Sequence, residues 1–228
     1  MRHARLMSTL CPAPTASFEP GAEQPRRRQP IRDAQSARTR ANLIAAARTL
    51  FAANGYHATG VRDITAKAQV TPGALIHHFG DKERLFRAVF DELEHEILAG
   101  ADKAANDLER HTFEGFCQGV KFFIDAAAEP TFQRIVLIEA PAVFGWARWR
   151  ELEEQFNLGT LRQLLREFMD TGVIRRQNEV YLANLIFASI IEAGLLVATA
   201  DDPATARSEV SGMMIELLSG MLIGTTAA

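Results

Sequence analysis

From Ser36 to Asn54 the apolar residues Leu43, Ile44, Ala47, Leu50 and Phe51 recur at i, i+1, i+4, i+7 and i+8, which is one face of a helix. Gly55 follows where a helix favours a residue without Cβ, so the pattern predicts a stop there. After Tyr56, His57 and Ala58, Thr59 is placed to cap a second, short helix whose inward positions are Val61, Ile64 and Ala68. A third helix opens at once. Thr71 is its expected N-cap, Pro72 suits its first position because the missing N–H has no partner there, and Leu75 and Phe79 point inward at i and i+4. Asp81 then caps a fourth helix with Leu85, Phe86, Val89, Phe90, Leu93 and Ile97 along its buried side.

The remainder reads as further helices at about 113–128, 131–140, 147–171, 179–200 and 204–221. Pro130, Pro141, Pro203 and the stretch from Asp170 to Ile174 punctuate them. The pattern shows no repeat, Gly-rich phosphate loop or nucleophile elbow. An all-α chain follows: a tail over 1–34 rich in Pro, Gly and Ala, a three-helix module over 35–81 and a larger helical body over 82–228. The tail has no apolar core of signal-peptide length. Residues 181–200 are membrane-like in composition, but Glu192 near their middle would cost roughly 2.5 to 3.5 kcal/mol in a bilayer, so a helix buried in protein is the better expectation.

Composition adds little until it is divided along the chain. With 47% hydrophobic and 23% charged residues, the protein has the make-up of an ordinary soluble chain of one or two domains. Its two cysteines, Cys11 and Cys117, indicate neither a disulfide framework nor a thiolate metal site, and a reducing cytoplasm fits them. The net charge of −3 conceals an asymmetry. Residues 26–80 hold nine Arg or Lys against Asp33 and Asp63, whereas residues 81–228 hold fourteen basic against twenty-four acidic residues. A basic module on an acidic body suggests that the first part meets a polyanion, although such charges are also commonly just solvated.

A helix, a tight turn and a short helix inside a basic module form the helix-turn-helix arrangement, whose second helix enters the major groove of DNA. With Leu75 and Phe79 committed to the core, Pro72, Gly73, Ile76 and His77 face the other way, and His78 lies toward the helix end within reach of a phosphate. Gly73 and Ala74 would let the backbone approach DNA closely. The adjacent histidines make a poor metal pair, because neighbours on a helix point about 100° apart and zinc pairs prefer i, i+4 spacing. A solvated or structural role for them stays open.

Across about 55 residues, from Arg40 to Leu93, the chain resembles the TetR (tetracycline repressor) family of bacterial transcriptional regulators. The resemblance is carried by a first helix ending in Phe51 and Gly55-Tyr56, then Thr59, Val61-Arg62-Asp63-Ile64, Val70-Thr71 with Gly73 and Leu75, His78-Phe79 and Lys82-Glu83. It implies DNA contacts from Thr71, Pro72, Gly73, Ala74, Ile76, His77 and His78, with Thr59, Arg62 and Lys82 on the phosphate backbone. Two positions depart from the family pattern. Ile76 stands where the family usually has Tyr, which suggests contact with a thymine methyl group or a weakened site. Gln69 stands where the turn usually has Gly, so a left-handed conformation would be costly and the turn is open to closing differently.

The same resemblance implies an effector cavity in the body. Phe116, Phe123, Trp146, Trp149 and Phe156 are its candidate walls, Glu139 and Glu192 its candidate polar anchors, and Asn184 a weaker one. Each aromatic could instead be ordinary core, and Glu139 could pair with Arg134 or face solvent. An aromatic cavity with few polar groups would suit a hydrophobic or aromatic small molecule. The last two helices carry wide apolar faces, with small residues at Ala188, Ser189, Ala193 and Gly194, and the family implies a homodimer through them. No cofactor, metal or membrane is expected. The leading expectation is a ligand-responsive repressor in the cytoplasm. The alternative is a DNA-binding protein whose body answers to a protein partner or organises DNA. An enzyme with a DNA-binding appendage finds no nucleophile and base pair to support it.

Overall fold

The computed structural model describes residues 28–106 and 112–224. Expectations placed on residues 1–27 lie outside the described residues. The chain divides into Met1–Ser36, of which the described part is the opening of the first helix, and Ala37–Ala228. That helix, α1, spans Arg28–Ala58 and so begins inside the expected tail. The repeat of Leu43, Ile44, Ala47 and Phe51 is buried as its spacing predicts.

At Gly55 α1 kinks instead of ending, with φ 79° and ψ 170°. This region of backbone space is open essentially to glycine alone. The carbonyls that the kink frees find other donors: the Thr59 hydroxyl donates to Gly55 O at 2.7 Å and Leu50 O at 3.2 Å. Thr59 is therefore 1% exposed and does not cap the next helix. Helix α2, Val61–Lys67, is capped by Gly60, whose N–H donates to Asp63 Oδ2 at 3.2 Å.

Helix α3, Pro72–Phe79, buries Leu75 and Phe79, and α4, Lys82–Asn106, begins with the Arg84 N–H donating to Asp81 Oδ1 at 2.7 Å. The core built by these helices does not stop at position 81. Phe51, Leu75, Phe86 and Phe90 share one apolar cluster with Phe132, Val136, Trp149 and Leu152 of the body.

The body continues with α5, Phe113–Ala127, and a short α6, Pro130–Phe132. A π-helical stretch, Gln133–Glu139, leads into α7, Ala140–Phe144. The expected stop at Pro141 does not occur. In the π turn the Ala140 N–H already reaches Ile135 O, five residues back, so the missing Pro141 N–H falls in the first turn of a new helical segment. Helix α8, Trp146–Glu153, passes through a second π-helical stretch, Glu154–Leu158, into α9, Gly159–Asp170.

Helices α10, Glu179–Thr199, and α11, Pro203–Ser219, complete the described elements, each N-capped by the residue before it, Asn178 and Asp202. A second core joins α5, α9, α10 and α11 through Phe116, Ile124, Leu165, Phe168, Phe187 and Met214. Here α10 crosses α5 closely: a Cβ at Gly194 would stand 2.2 Å from that of Ala127. Helix α10 is long and apolar enough to cross a membrane. Ile186, Ile190 and Val197 on its inner face are core, while Tyr181, Leu185 and Leu196 are exposed.

Candidate DNA interface and effector cavity

The turn between α2 and α3 is held by two backbone bonds, Gln69 N–H to Ala66 O at 3.1 Å and Val70 N–H to Thr65 O at 3.0 Å. This is a Schellman closure, which needs a left-handed residue at its apex. Gln69 supplies it with φ 56°, the one positive φ outside glycine among the described residues. The turn thus keeps the left-handed geometry in spite of the missing glycine.

Helix α3 then presents Thr71, Pro72, Gly73, Ile76 and His77 to the outside, with Ala74 and His78 half-buried. Ile76 is 55% exposed, a large fraction for an isoleucine that could have joined a core. Thr71 occupies the N-cap position without spending its hydroxyl there. The His77 and His78 rings meet edge to face at 5.1 Å. Around His78 lie Arg40, Arg84 and Arg87 in a shared depression, with Arg40 5.3 Å above the Phe79 ring. No group of three metal-binding side chains occurs among the described residues.

Two residues expected on the phosphate backbone sit elsewhere. Thr59 is buried, as described above. Lys82 turns inward: its ammonium donates to Tyr56 O at 2.9 Å and Thr59 O at 3.1 Å, and lies 4.1 Å from the Tyr56 ring centroid. Partial burial holds its pKa below the ordinary lysine value. Lys82 closes the end of α1 because the kink and the chain end leave carbonyls without helical donors. Arg62 remains exposed on α2.

Glu139 also has a different task from the one expected. Its carboxylate pairs with Arg134 at 3.0 Å and accepts the Tyr56 N–H at 3.2 Å, so the body grips the Gly55 kink. A Cβ on Gly55 would stand 2.5 Å from Glu139 Oε1.

A cavity of about 380 Å³ opens inside the body. Its walls are Leu98 and Ala101 of α4, Phe116, Val120 and Phe123 of α5, Leu161 and Leu164 of α9, and Phe187 and Ile190 of α10. Asn157, Thr160, Gln163, Asp102 and Glu167 are its polar edge. Phe116 and Phe123 thus line it as expected. The other expected residues do not. Trp149 is 5% exposed and belongs, with the half-buried Phe156, to the core shared with α4. Trp146 is 66% exposed and Glu192 faces solvent. Asn184 accepts a hydrogen bond from Arg150 instead.

Behind Asn157 lies a pair that the sequence reading missed. Glu94 and Glu153 are 0% and 1% exposed, and the Asn157 amide donates at 2.9 Å to Oε2 of each. Their Oε1 atoms have no hydrogen-bond partner. Burial pushes the Glu153 carboxyl up to about 7, opposed by Asn157 and Arg150. Burial first, then the neighbouring Glu153 charge, raise Glu94 well above the ordinary range. The signal was available: Glu94 stands four residues past Phe90 and three before Ile97, and Glu153 four past Trp149, all on buried stripes.

The description "Bacterial regulatory proteins, tetR family" matches residues 43–89, and "Tetracyclin repressor-like, C-terminal domain" matches residues 113–221. A TetR-family transcriptional regulator of Pectobacterium atrosepticum, of known crystal structure, is 33% identical; the match covers 83% of this chain and 97% of that one, with a TM-score of 0.68. RolR in complex with resorcinol shares the fold at 21% identity, over 86% of this chain and 92% of that one, with a TM-score of 0.60. By sequence, the Transposon Tn10 TetC protein of Escherichia coli is 22% identical over 64% of this chain and 73% of its own length. The HTH-type transcriptional repressor Rv3405c of Mycobacterium tuberculosis is 39% identical over 31% of this chain, a match that spans 41% of that repressor.

Proposed function

The chain belongs to the TetR family of bacterial transcriptional regulators, and from that premise we propose a homodimeric repressor that an apolar or aromatic small molecule releases from its operator. The observation that carries this reading is the course of α4. Its first turns, Leu85 and Phe86, are core to the DNA-facing helices, and its later turns, Leu98 and Ala101, are cavity wall. A molecule seated in the cavity acts on the same rigid element that seats α3. For such a ligand to switch the protein it must bind the released conformation better than the DNA-bound one, and operator DNA must then weaken the ligand by the same factor. An open cavity weighs for this over a body that answers only to proteins. That RolR, which shares the fold, forms a complex with resorcinol supports an aromatic ligand.

On the DNA side, the exposed surface of α3 from Thr71 to His77 reads base edges, and Arg62 with the arginines around His78 holds phosphates. Tyr181, Leu185 and Leu196 of α10 and Met213 and Leu217 of α11 are all more than half exposed. This apolar face is the proposed contact with a second copy. Operator binding places the protein in the cytoplasm with its DNA.

Footprinting the purified protein on the DNA beside its own gene tests the reading, followed by titration with aromatic compounds. Protection that falls steeply with salt and is lifted by a compound whose affinity operator DNA weakens in return supports it. Arg62→Ala should weaken specific and random DNA alike and lower the salt slope by about one. Ligands that bind with no reciprocal effect on DNA would rule out the switch.

A further inference from the structure

Resting on that cavity reading, we propose that the ligand carries a cationic nitrogen, held where Glu94 and Glu153 meet across Asn157. Neither carboxyl is itself on the cavity wall; the link is Asn157, which lines the cavity and donates to both. Glu94 stands four residues before the wall residue Leu98 on α4, and Glu153 four before Asn157, which lines the cavity itself. The π-helical stretch Glu154–Leu158 carries Asn157 into this place, and such stretches recur at functional sites.

The chemistry of the pair selects the ligand. The Asn157 nitrogen has two hydrogens and spends both on the two Oε2 atoms, so Glu94 Oε1 and Glu153 Oε1 remain buried acceptors without donors. Leaving such groups unmet is costly, and a protonated amine supplies several donors together with the charge the site lacks. A hydroxyl supplies one donor and no charge. A metal ion would need a third protein ligand, and no such group of three occurs among the described residues. Phe116, Phe123 and Phe187 line the cavity and suit an aromatic scaffold.

The charges facing the pair from other positions are few. Asp91 on α4 adds to the negative potential at Glu94, and it is itself bound by Arg87 at 2.6 Å. Arg150 on α8 acts on Glu153, but its guanidinium donates to Asn184 Oδ1. Burial raises both carboxyls, and the Glu153 charge raises Glu94 further, so without a ligand the pair holds a proton more firmly than exposed carboxylates do. An arriving ammonium favours the ionised pair and expels a proton.

Titration calorimetry of the intact protein with 4-phenylbutylamine and with 4-phenylbutanol, its neutral counterpart, decides the matter. The amine should bind about tenfold tighter or better at neutral pH, since a charge-assisted bond replaces a neutral one. Its affinity should rise between about pH 6 and about pH 8, with proton release seen in buffers of different ionisation enthalpy, while the alcohol shows neither. Glu94→Gln or Glu153→Gln should remove the preference, weakening the amine at least about tenfold more than the alcohol. Equal binding of amine and alcohol overturns the proposal and leaves the apolar cavity standing. A preference that survives both substitutions also overturns it, and binding of neither compound overturns proposal and cavity together. Should the variants fail to fold, proton release by the parent protein decides: its absence on amine binding rejects the carboxyl site.

Discussion

In the DNA-facing module Thr59 and Thr65 are both buried, and both hydroxyls donate to carbonyls of the local helices. In the body the buried Glu94, Glu153, Trp149 and Ser211 each retain a polar atom that no protein group meets. The module is a finished object, able to offer Ile76 and His77 to a groove because nothing inside it competes for them. The body is left open at the cavity and along the outer faces of α10 and α11. An unmet buried acceptor costs about 1 to 3 kcal/mol, and an apolar face in water is similarly unfavourable. Such costs persist in a protein that is completed by something else, here a ligand and a second copy.

The largest effect should come from closing the outer face. Leu185→Arg or Leu217→Arg, at positions 67% and 70% exposed, would place an unpaired charge in the proposed interface. Each should yield a folded monomer and lower operator affinity by about a hundredfold or more, because two half-sites are no longer held together. Ile190→Arg would not serve as the same test: Ile190 is 6% exposed and lines the cavity, so that variant attacks the core. Sedimentation showing unchanged dimers for both leucine variants would move the interface elsewhere.

Where the two regions meet, the comparison predicts a loss of stability instead. Gly55→Ala forces a side chain into a conformation that only glycine adopts freely and drives its Cβ against Glu139. A cost of about 3 kcal/mol follows from backbone strain and the displaced ion pair together. Denaturant unfolding that matched the parent protein would mean that the kink can straighten without loss.

These two sites also show how much of the molecule the sequence made legible. The module's signals act over three or four residues, so Leu75, Phe79, Ile76 and the Asp81 cap were placed correctly from spacing alone. Thr59 was misplaced by one residue, because Gly60 caps with its backbone and shows no side chain to announce it. Lys82 was misread because its carbonyl partners at Tyr56 and Thr59 lie 26 and 23 residues away. The cavity needs four helices to be docked before it exists, and an aromatic residue's identity does not tell which of two cores receives it. Phe116 and Phe123 went to the cavity; Trp149 and Phe156 went to the core under the module.

The carboxyl pair gives the comparison a pH signature. Glu153 is raised from 4.5 to about 7 in the folded protein, and Glu94 is raised as well. Between the two values the folded state binds more protons than the unfolded state, so stability falls as pH rises through that window and levels off above it. Glu153→Gln removes the group and should flatten this slope, leaving the variant more stable than the parent by about 2 kcal/mol at pH 8. At pH 4, where both states hold the proton, the two should differ little. A parent protein whose stability rises from about pH 5 to about pH 8 in step with the variant would show that the pair is ionised at little cost.

The smallest effect tests the claim that the module is finished. Its one evident backbone cost is Gln69, held at φ 56° to close the turn between α2 and α3. A left-handed residue other than glycine costs about 1 kcal/mol, and glycine would remove that cost while adding freedom to the unfolded chain. Gln69→Gly should therefore stabilise the protein by a net amount of about 0.5 kcal/mol. The two backbone bonds to Ala66 and Thr65 use main-chain atoms only and survive the change, so α3 keeps its seat. Operator affinity and base preference should then match the parent, measured by denaturant unfolding alongside binding to a set of operator point mutants. A Gly variant that gained stability but lost preference would show that the strain at Gln69 tunes how α3 meets DNA, and that the module is adjusted by its partner as the body is.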